Sequence, residues 1–257
     1  MRSVAGAGVV VTGAGSGIGA ALARRFAAEG ARVVVNDLNA DAAGEVARSC
    51  GAAAAPGDAA SVAGVAGLLA TARGVLGEID LYCANAGVAA GHGEGGEDDW
   101  EASWQVNVMA HVRAARALLP GWLDRGSGHL ICTVSAAGLL TMLGAAPYSA
   151  TKHAALGFAE WLAATYAHRG LTVQALCPMG VRTAMLDGIS PAAELILGET
   201  AITADEVANA VMAGIAGGGF LILPHPDVAR MYANRAADTD RWLRGMNRLQ
   251  ARIETAV

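Results

Sequence analysis

The chain has 257 residues, 54% hydrophobic and 16% charged, enough to bury one large α/β core and too apolar to stay disordered. With 18 basic against 23 acidic side chains the net charge is −5, which argues against nucleic acid and anionic membranes as partners. No apolar run approaches the ~18 residues of a membrane span, and the N-terminus lacks the basic, apolar and cleavage-site order of a secretory signal, so a cytoplasmic protein is expected.

Short apolar runs rich in β-branched residues alternate with alanine-rich stretches, the pattern of a parallel sheet between layers of helices. No linker, repeat or charge block divides residues 1–257, so one domain is expected. A strand over 8–12 leads through a glycine loop to a helix over 19–29 and a strand over 32–36. Helices over 41–49 and 61–76 flank a weak strand at 52–55, with Ser61 as N-cap of the second helix. A strand over 81–84 precedes a glycine-rich loop, then a helix over 98–119 and a strand over 129–134. A helix over 148–168 and a strand over 172–177 follow. Residues 180–202 read as a mixed loop beside the substrate. Thr203 and Glu206 form a capping-box pattern at the start of a helix, ahead of a seventh strand at 220–223. In the tail, Trp242, Met246, Leu249 and Ile253 make one apolar stripe, expected to dock on the chain's own body or on another subunit. Cys50, Cys83, Cys132 and Cys177 show no metal-ligand spacing and read as free thiols. His92, His129 and His225 show no ligand spacing either, and no metal is expected.

Three stretches carry chemistry. Thr12-Gly13-Ala14-Gly15-Ser16-Gly17-Ile18-Gly19 lies between a strand and a helix, where small residues let backbone N–H groups approach a pyrophosphate. Its spacing is G-x-x-x-G-x-G rather than the common G-x-G-x-x-G. Asp37 closes the second strand, where a carboxylate accepts the two adenosine-ribose hydroxyls and repels a 2′-phosphate. With Ser16 and Leu38 in place of basic residues, NAD is favoured over NADP. Asp58 reads either as an adenine contact or as part of an ordinary Gly57-Asp58 turn. Finally, Tyr148 and Lys152 stand one helical turn apart on one face. Bringing a phenol from ~10 to about 7 takes roughly 4 kcal/mol, of the order an ammonium ~4 Å away supplies at an effective dielectric of ~20, before desolvation.

Together with Asn85-Ala86-Gly87, Asn107, Ser135 and Pro178-Met179-Gly180, these pieces make the chain resemble the short-chain dehydrogenase/reductase family, in its short single-domain branch, over residues 9–183. The resemblance implies a Rossmann-type doubly wound fold, with a seven-stranded parallel sheet and helices on both faces. It implies Tyr148 as acid/base, Lys152 as the cation that lowers the tyrosine and holds the nicotinamide ribose, and Ser135 as hydrogen-bond partner of the substrate oxygen. Asn107 is implied to hold a water that links Lys152 to solvent. Asn85, Ala86 and Gly87 are implied to line the cofactor, and Pro178, Gly180, Val181 and Thr183 to pass its carboxamide. A homo-oligomer, tetramer or dimer, is implied as well, paired through the helices over 98–119 and 148–168.

The Leu139–Leu143 stretch, with Met185, Leu186 and Ile189, predicts an apolar pocket and hence a small hydrophobic secondary alcohol or ketone as substrate. A 3-oxoacyl-thioester reductase is the nearest alternative, disfavoured by Asp37 because such reductive enzymes generally use NADP. A non-catalytic NAD-binding regulator is the alternative from another class, disfavoured by the intact serine, tyrosine and lysine.

Overall fold

Two valine triplets, Val9-Val10-Val11 and Val33-Val34-Val35, set the centre of a sheet buried on both faces, as continuous apolar runs require. A computed structural model of the chain describes residues 3–187 and 200–256. Its strands are β1 (Gly8–Val11), β2 (Arg32–Val35), β3 (Ala53–Ala54), β4 (Leu81–Ala84), β5 (Gly128–Thr133), β6 (Leu171–Leu176) and β7 (Leu221–Ile222). They pair in parallel in the order β3-β2-β1-β4-β5-β6-β7. The seven-stranded, doubly wound fold expected from the sequence is therefore present.

Alternation along the strands divides the core in two. Val10, Val34, Tyr82 and Leu130 face α3 (Val62–Leu76), α5 (Ala110–Asp124) and α6 (Ala146–Tyr166). Val9, Val11, Val33, Val35 and Ile131 face α1 (Gly17–Ala28), α2 (Ala40–Cys50) and a helix over Ala204–Gly217. Between these lie α4 (Glu97–Trp104) and the short α7 (Ala184–Asp187), so the Ala204–Gly217 helix is α8; α9 (Asp227–Ala237) and α10 (Thr239–Ala256) close the chain.

Local signals resolve as expected at two caps. Ser61 Oγ accepts from Gly64 N at 3.1 Å, and Thr203 and Glu206 bond reciprocally at 2.7 and 3.2 Å. The helix expected over 98–119 differs. It is α4, a π-helical turn over Gln105–Met109, and α5, which runs through Pro120 to Asp124. Packing overrides the proline: Trp122, two residues beyond it, is buried and donates its indole N–H to Ile79 O at 2.7 Å.

Candidate active site

The chain leaves β1 towards β2 and β3, then returns to lay β4 on the other side of β1, so a crevice opens at their C-terminal ends. The glycine loop fills its floor. Gly13 has φ 59°, and a Cβ there would stand 2.8 Å from Ala86 Cα. A Cβ on Gly19 would stand 2.3 Å from Gly13 O and 2.6 Å from Asn85 Nδ2. Only glycine lets α1 begin this close beneath the strand ends. Ser16 is the N-cap of α1 in extended conformation, makes no side-chain cap bond, and no acidic side chain occupies the first turn. The first N–H groups of the helix are thus left to an anion.

Asp37 sits beside that loop. Its Oδ2 accepts from Gly15 N at 2.9 Å and its Oδ1 from Asn39 N at 2.9 Å, which aims the carboxylate into the crevice wall with lone pairs to spare. Asp58 turns elsewhere. Its carboxylate accepts from Ala60 N at 2.7 Å and Ser61 N at 3.1 Å, bonds that hold it below the usual carboxylate range, and it does not line the crevice. These bonds close the Gly57-Asp58 turn that starts α3.

Thr12, Asn85 and Thr133 sew the ends of three strands together. Thr12 Oγ1 accepts from Asn85 N and Ala86 N at 3.0 and 3.1 Å. Asn85 Nδ2 donates to Thr12 O at 3.0 Å, and its Oδ1 accepts from Thr133 Oγ1 at 3.0 Å. The carbonyl of Thr133 in turn accepts the Lys152 ammonium at 3.0 Å. Thr133 carries no motif signal, because its role follows from strand register alone.

Tyr148 and Lys152 rise from the first two turns of α6, with the lysine Nζ 5.5 Å from the centre of the tyrosine ring. Burial pushes Lys152 down to about 8. Burial also raises the Tyr148 phenol, and the Ser135 hydroxyl beside it pulls the other way. Ser135 follows β5 with φ 131° and ψ 156°, the one non-glycine residue at positive φ among the described residues. Its Oγ accepts from Ala137 N at 3.1 Å, which fixes the hydroxyl at the mouth of a 3-10 turn over Ala136–Gly138.

Asn107 lies in the π turn, fully buried behind the crevice rather than on its surface. It exchanges bonds with the Val88 backbone, N to Oδ1 and Nδ2 to O, both at 2.9 Å, and donates to Thr151 Oγ1 at 3.1 Å. The point a side chain on Gly87 would occupy lies 3.3 Å from both Asn107 Oδ1 and Lys152 Nζ.

The glycine loop, Asp37, Asn85, Thr133, Ser135, Tyr148 and Lys152 border one cavity of about 510 Å³. Every residue expected to touch a dinucleotide lines it except Asp58 and Ala86, which backs Gly13. Leu140, Thr141, Met142 and Leu143 line it together with Met185 and Leu186, whereas Leu139 is buried in the core and Ile189 lies outside the described residues. The wall opposite comes from the C-terminus. Met231 of α9 and Trp242, Met246 and Leu249 of α10 face the cavity, so the apolar stripe of the tail docks on its own body, over the crevice. Its amphipathic spacing was legible; the surface it covers was not. Among the described residues no group of three His, Cys, Asp or Glu side chains is placed to hold a metal, and no helix is long and apolar enough to cross a membrane.

A glycine cradle at the switch point and a serine, tyrosine and lysine in the same crevice define an oxidoreductase of the doubly wound class. Comparison with known proteins agrees. A family model described as short chain dehydrogenase matches residues 7–194. A 1-deoxy-11-beta-hydroxypentalenate dehydrogenase of Streptomyces avermitilis is 39% identical over 244 residues, which cover 91% of this chain and 90% of that one. Epidermal retinol dehydrogenase 2 of Mus musculus is 36% identical over 198 residues, 73% of this chain and 64% of the relative. The crystal structure of a short chain dehydrogenase/reductase from Burkholderia phymatum in complex with NAD superposes with a TM-score of 0.85 at 30% identity, covering 93% of this chain and 96% of that one. The chain belongs to the short-chain dehydrogenase family.

Proposed function

We propose that the protein is an NAD-dependent dehydrogenase that interconverts a hydrophobic secondary alcohol and its ketone. One observation carries the reading: Ser135, Tyr148 and Lys152 share a single cavity with the glycine loop and Asp37. The cradle fits a dinucleotide. The open N-terminus of α1 suits the pyrophosphate, and the lone pairs left on Asp37 suit the adenosine ribose hydroxyls. Exposed Leu38 and the uncapped Ser16 offer no cation to a 2′-phosphate. The strip from Pro178 through Gly180 and Val181 to Thr183, along the same cavity, suits the carboxamide. When bound, the cofactor supplies the hydride acceptor and a second positive charge beside the phenol.

The chain's own residues manage the proton. Ser135 donates to the alcohol oxygen and steadies its developing charge. Tyr148, as phenolate, takes the hydroxyl proton while hydride leaves the carbinol carbon, so the alcohol becomes a ketone. The Lys152 ammonium, 5.5 Å from the ring centre, favours the phenolate against the burial that raises the phenol, and the second charge works in the same direction. Lys152 spends one donor on Thr133 O and keeps two, for a ribose hydroxyl and for a water. The point in front of Gly87, 3.3 Å from both Asn107 Oδ1 and Lys152 Nζ, supports that water.

The leucine and methionine wall supports an apolar substrate. Names of the relatives, which act on hydroxypentalenate and retinol, lean the same way. The half-exposed Trp104 of α4 and Trp161 of α6 support a homo-oligomer, dimer or tetramer, through these helices. The deciding experiment follows reduced cofactor while hydrophobic secondary alcohols are screened with NAD and NADP side by side. Turnover with NAD is expected. A clear NADP preference overturns the role of Asp37, and no turnover with either cofactor overturns the reading.

A further inference from the structure

Besides core packing by Val228, Met231 and Trp242, one cation ties the wall that α10 adds to the cavity. Arg235, in the last turn of α9, donates from Nη1 to the carbonyls of Leu139 and Leu140, the latter at 3.2 Å, and lies 3.0 Å from His153 Nε2. Its guanidinium also stacks 5.3 Å from the centre of the Trp242 ring. Leu139 and Leu140 end the turn that begins at Ser135, and His153 follows Lys152 on α6. A single side chain therefore touches the serine turn, the tyrosine and lysine helix, and the helix that walls the crevice.

The chemistry of the contact is specific. His153 Nδ1 lies 2.9 Å from Ser149 O, which only accepts, so Nδ1 carries the proton and Nε2 offers its lone pair to the guanidinium. A planar guanidinium bonds acceptors at its edge while its face lies on an indole; an ammonium does not do both. Other side-chain bonds near the start of α10 are local: Thr239 Oγ1 to Arg235 O and Arg241 N to Asp238 Oδ1. They shape the α9 to α10 corner without tying it to the crevice.

We propose that Arg235 is a positioning residue for the substrate: it clamps Trp242, and with it the Met246 and Leu249 face of α10, against the serine turn, and this wall selects bulky apolar alcohols. The proposal rests on the dehydrogenase reading above. A large ring system reaches the wall and gains binding that is equal in ground and transition states, whereas a small alcohol sits at Ser135 and Tyr148 without touching it.

The test compares the full-length wild type with Arg235→Met and Arg235→Lys, using borneol as the bulky alcohol and cyclopentanol as the small one. Arg235→Met is expected to raise the KM for borneol about tenfold with kcat little changed, and to alter kcat/KM for cyclopentanol less than about twofold. Arg235→Lys is expected to fall between. NADH affinity, read by fluorescence, stays the same. Amide hydrogen exchange is expected to quicken in residues 239–250 and stay unchanged in β4 and β5. Equal losses for both alcohols with faster exchange throughout the sheet would reduce Arg235 to a general stabiliser and overturn the proposal. Unchanged borneol KM and unchanged exchange in α10 would overturn it too. A wild type that oxidises neither alcohol overturns the selectivity for bulky alcohols, the broader alcohol screen alone deciding the dehydrogenase reading, while the exchange comparison still decides whether Arg235 holds the helix.

Discussion

Lys152 gives its ammonium to the backbone carbonyl of Thr133 at 3.0 Å, from a position almost closed to solvent. Burial lowers its pKa from 10.5 to about 8, a bias of about 3 kcal/mol against the charged form. The folded value lies below the unfolded one, so this cost is fully present below about 8 and fades as pH rises towards 10.5. Lys152→Met, which carries no such charge, is expected to lack turnover. Its melting temperature relative to wild type is expected to be highest near neutral pH and to drop as the pH approaches about 10. Scanning fluorimetry of both proteins across that range checks the trend; a gap that stays constant with pH would contradict it.

Tyr148→Phe removes only the phenolic oxygen from a ring held by α6. Turnover of any alcohol substrate is expected to fall by about 10²–10⁴-fold, the usual worth of a positioned acid/base, while NADH binds as before. Initial rates and fluorescence titration separate the two effects. Near-normal turnover in this variant would end the proposed role of the residue.

Asp37 orders its own loop through Gly15 and Asn39, so its replacement is best made gently. Asp37→Asn keeps an acceptor and loses the charge. NAD affinity is expected to fall about tenfold, in keeping with a charge-assisted hydrogen bond of roughly 1.5–3 kcal/mol. Combined Asp37→Ser and Leu38→Arg substitutions are expected to move the kcat/KM ratio towards NADP. Unaltered cofactor preference in both variants would place the ribose contact elsewhere.

Two buried histidines make the fold sensitive to acid. His129 offers Nε2 to Gln174 Oε1 at 2.9 Å, and its Nδ1 has no partner; burial pushes it down to about 4. His111 is pushed further, to about 3, by burial first and by the Lys152 charge second. Both folded values lie below the ordinary 6.5, so their stabilising effect is whole above about 6.5 and is lost as pH falls through about 4 and then about 3. The corresponding losses are up to about 3 and about 5 kcal/mol. His129→Phe is expected to flatten the first part of that decline. Urea unfolding at a series of pH values reads the slope, and a variant as acid-sensitive as wild type would exonerate His129.

Much of this site was legible in the sequence because its signals are local. The glycine loop announces itself by composition, Asp37 by its place at a strand end, and Tyr148 and Lys152 by helical spacing. Other parts depend on partners distant in the chain. In the π turn, Asn107 captures both backbone groups of Val88, a pairing no window of sequence contains. Asp58 offered two readings of equal local merit, and of these the turn is the one that the N–H groups of Ala60 and Ser61 make visible. The stripe on α10 declared an apolar face but not the crevice it covers, since that choice is made by Arg235 and the carbonyls of Leu139 and Leu140.

Ser135 holds its hydroxyl on a backbone, φ 131° and ψ 156°, that glycine alone adopts freely. Such a conformation costs roughly 1–3 kcal/mol, which a glycine would recover. Breeding this enzyme for heat tolerance without an activity screen would therefore reward the loss of that hydroxyl early. A hardier descendant altered at position 135 should be suspected of having traded its trade.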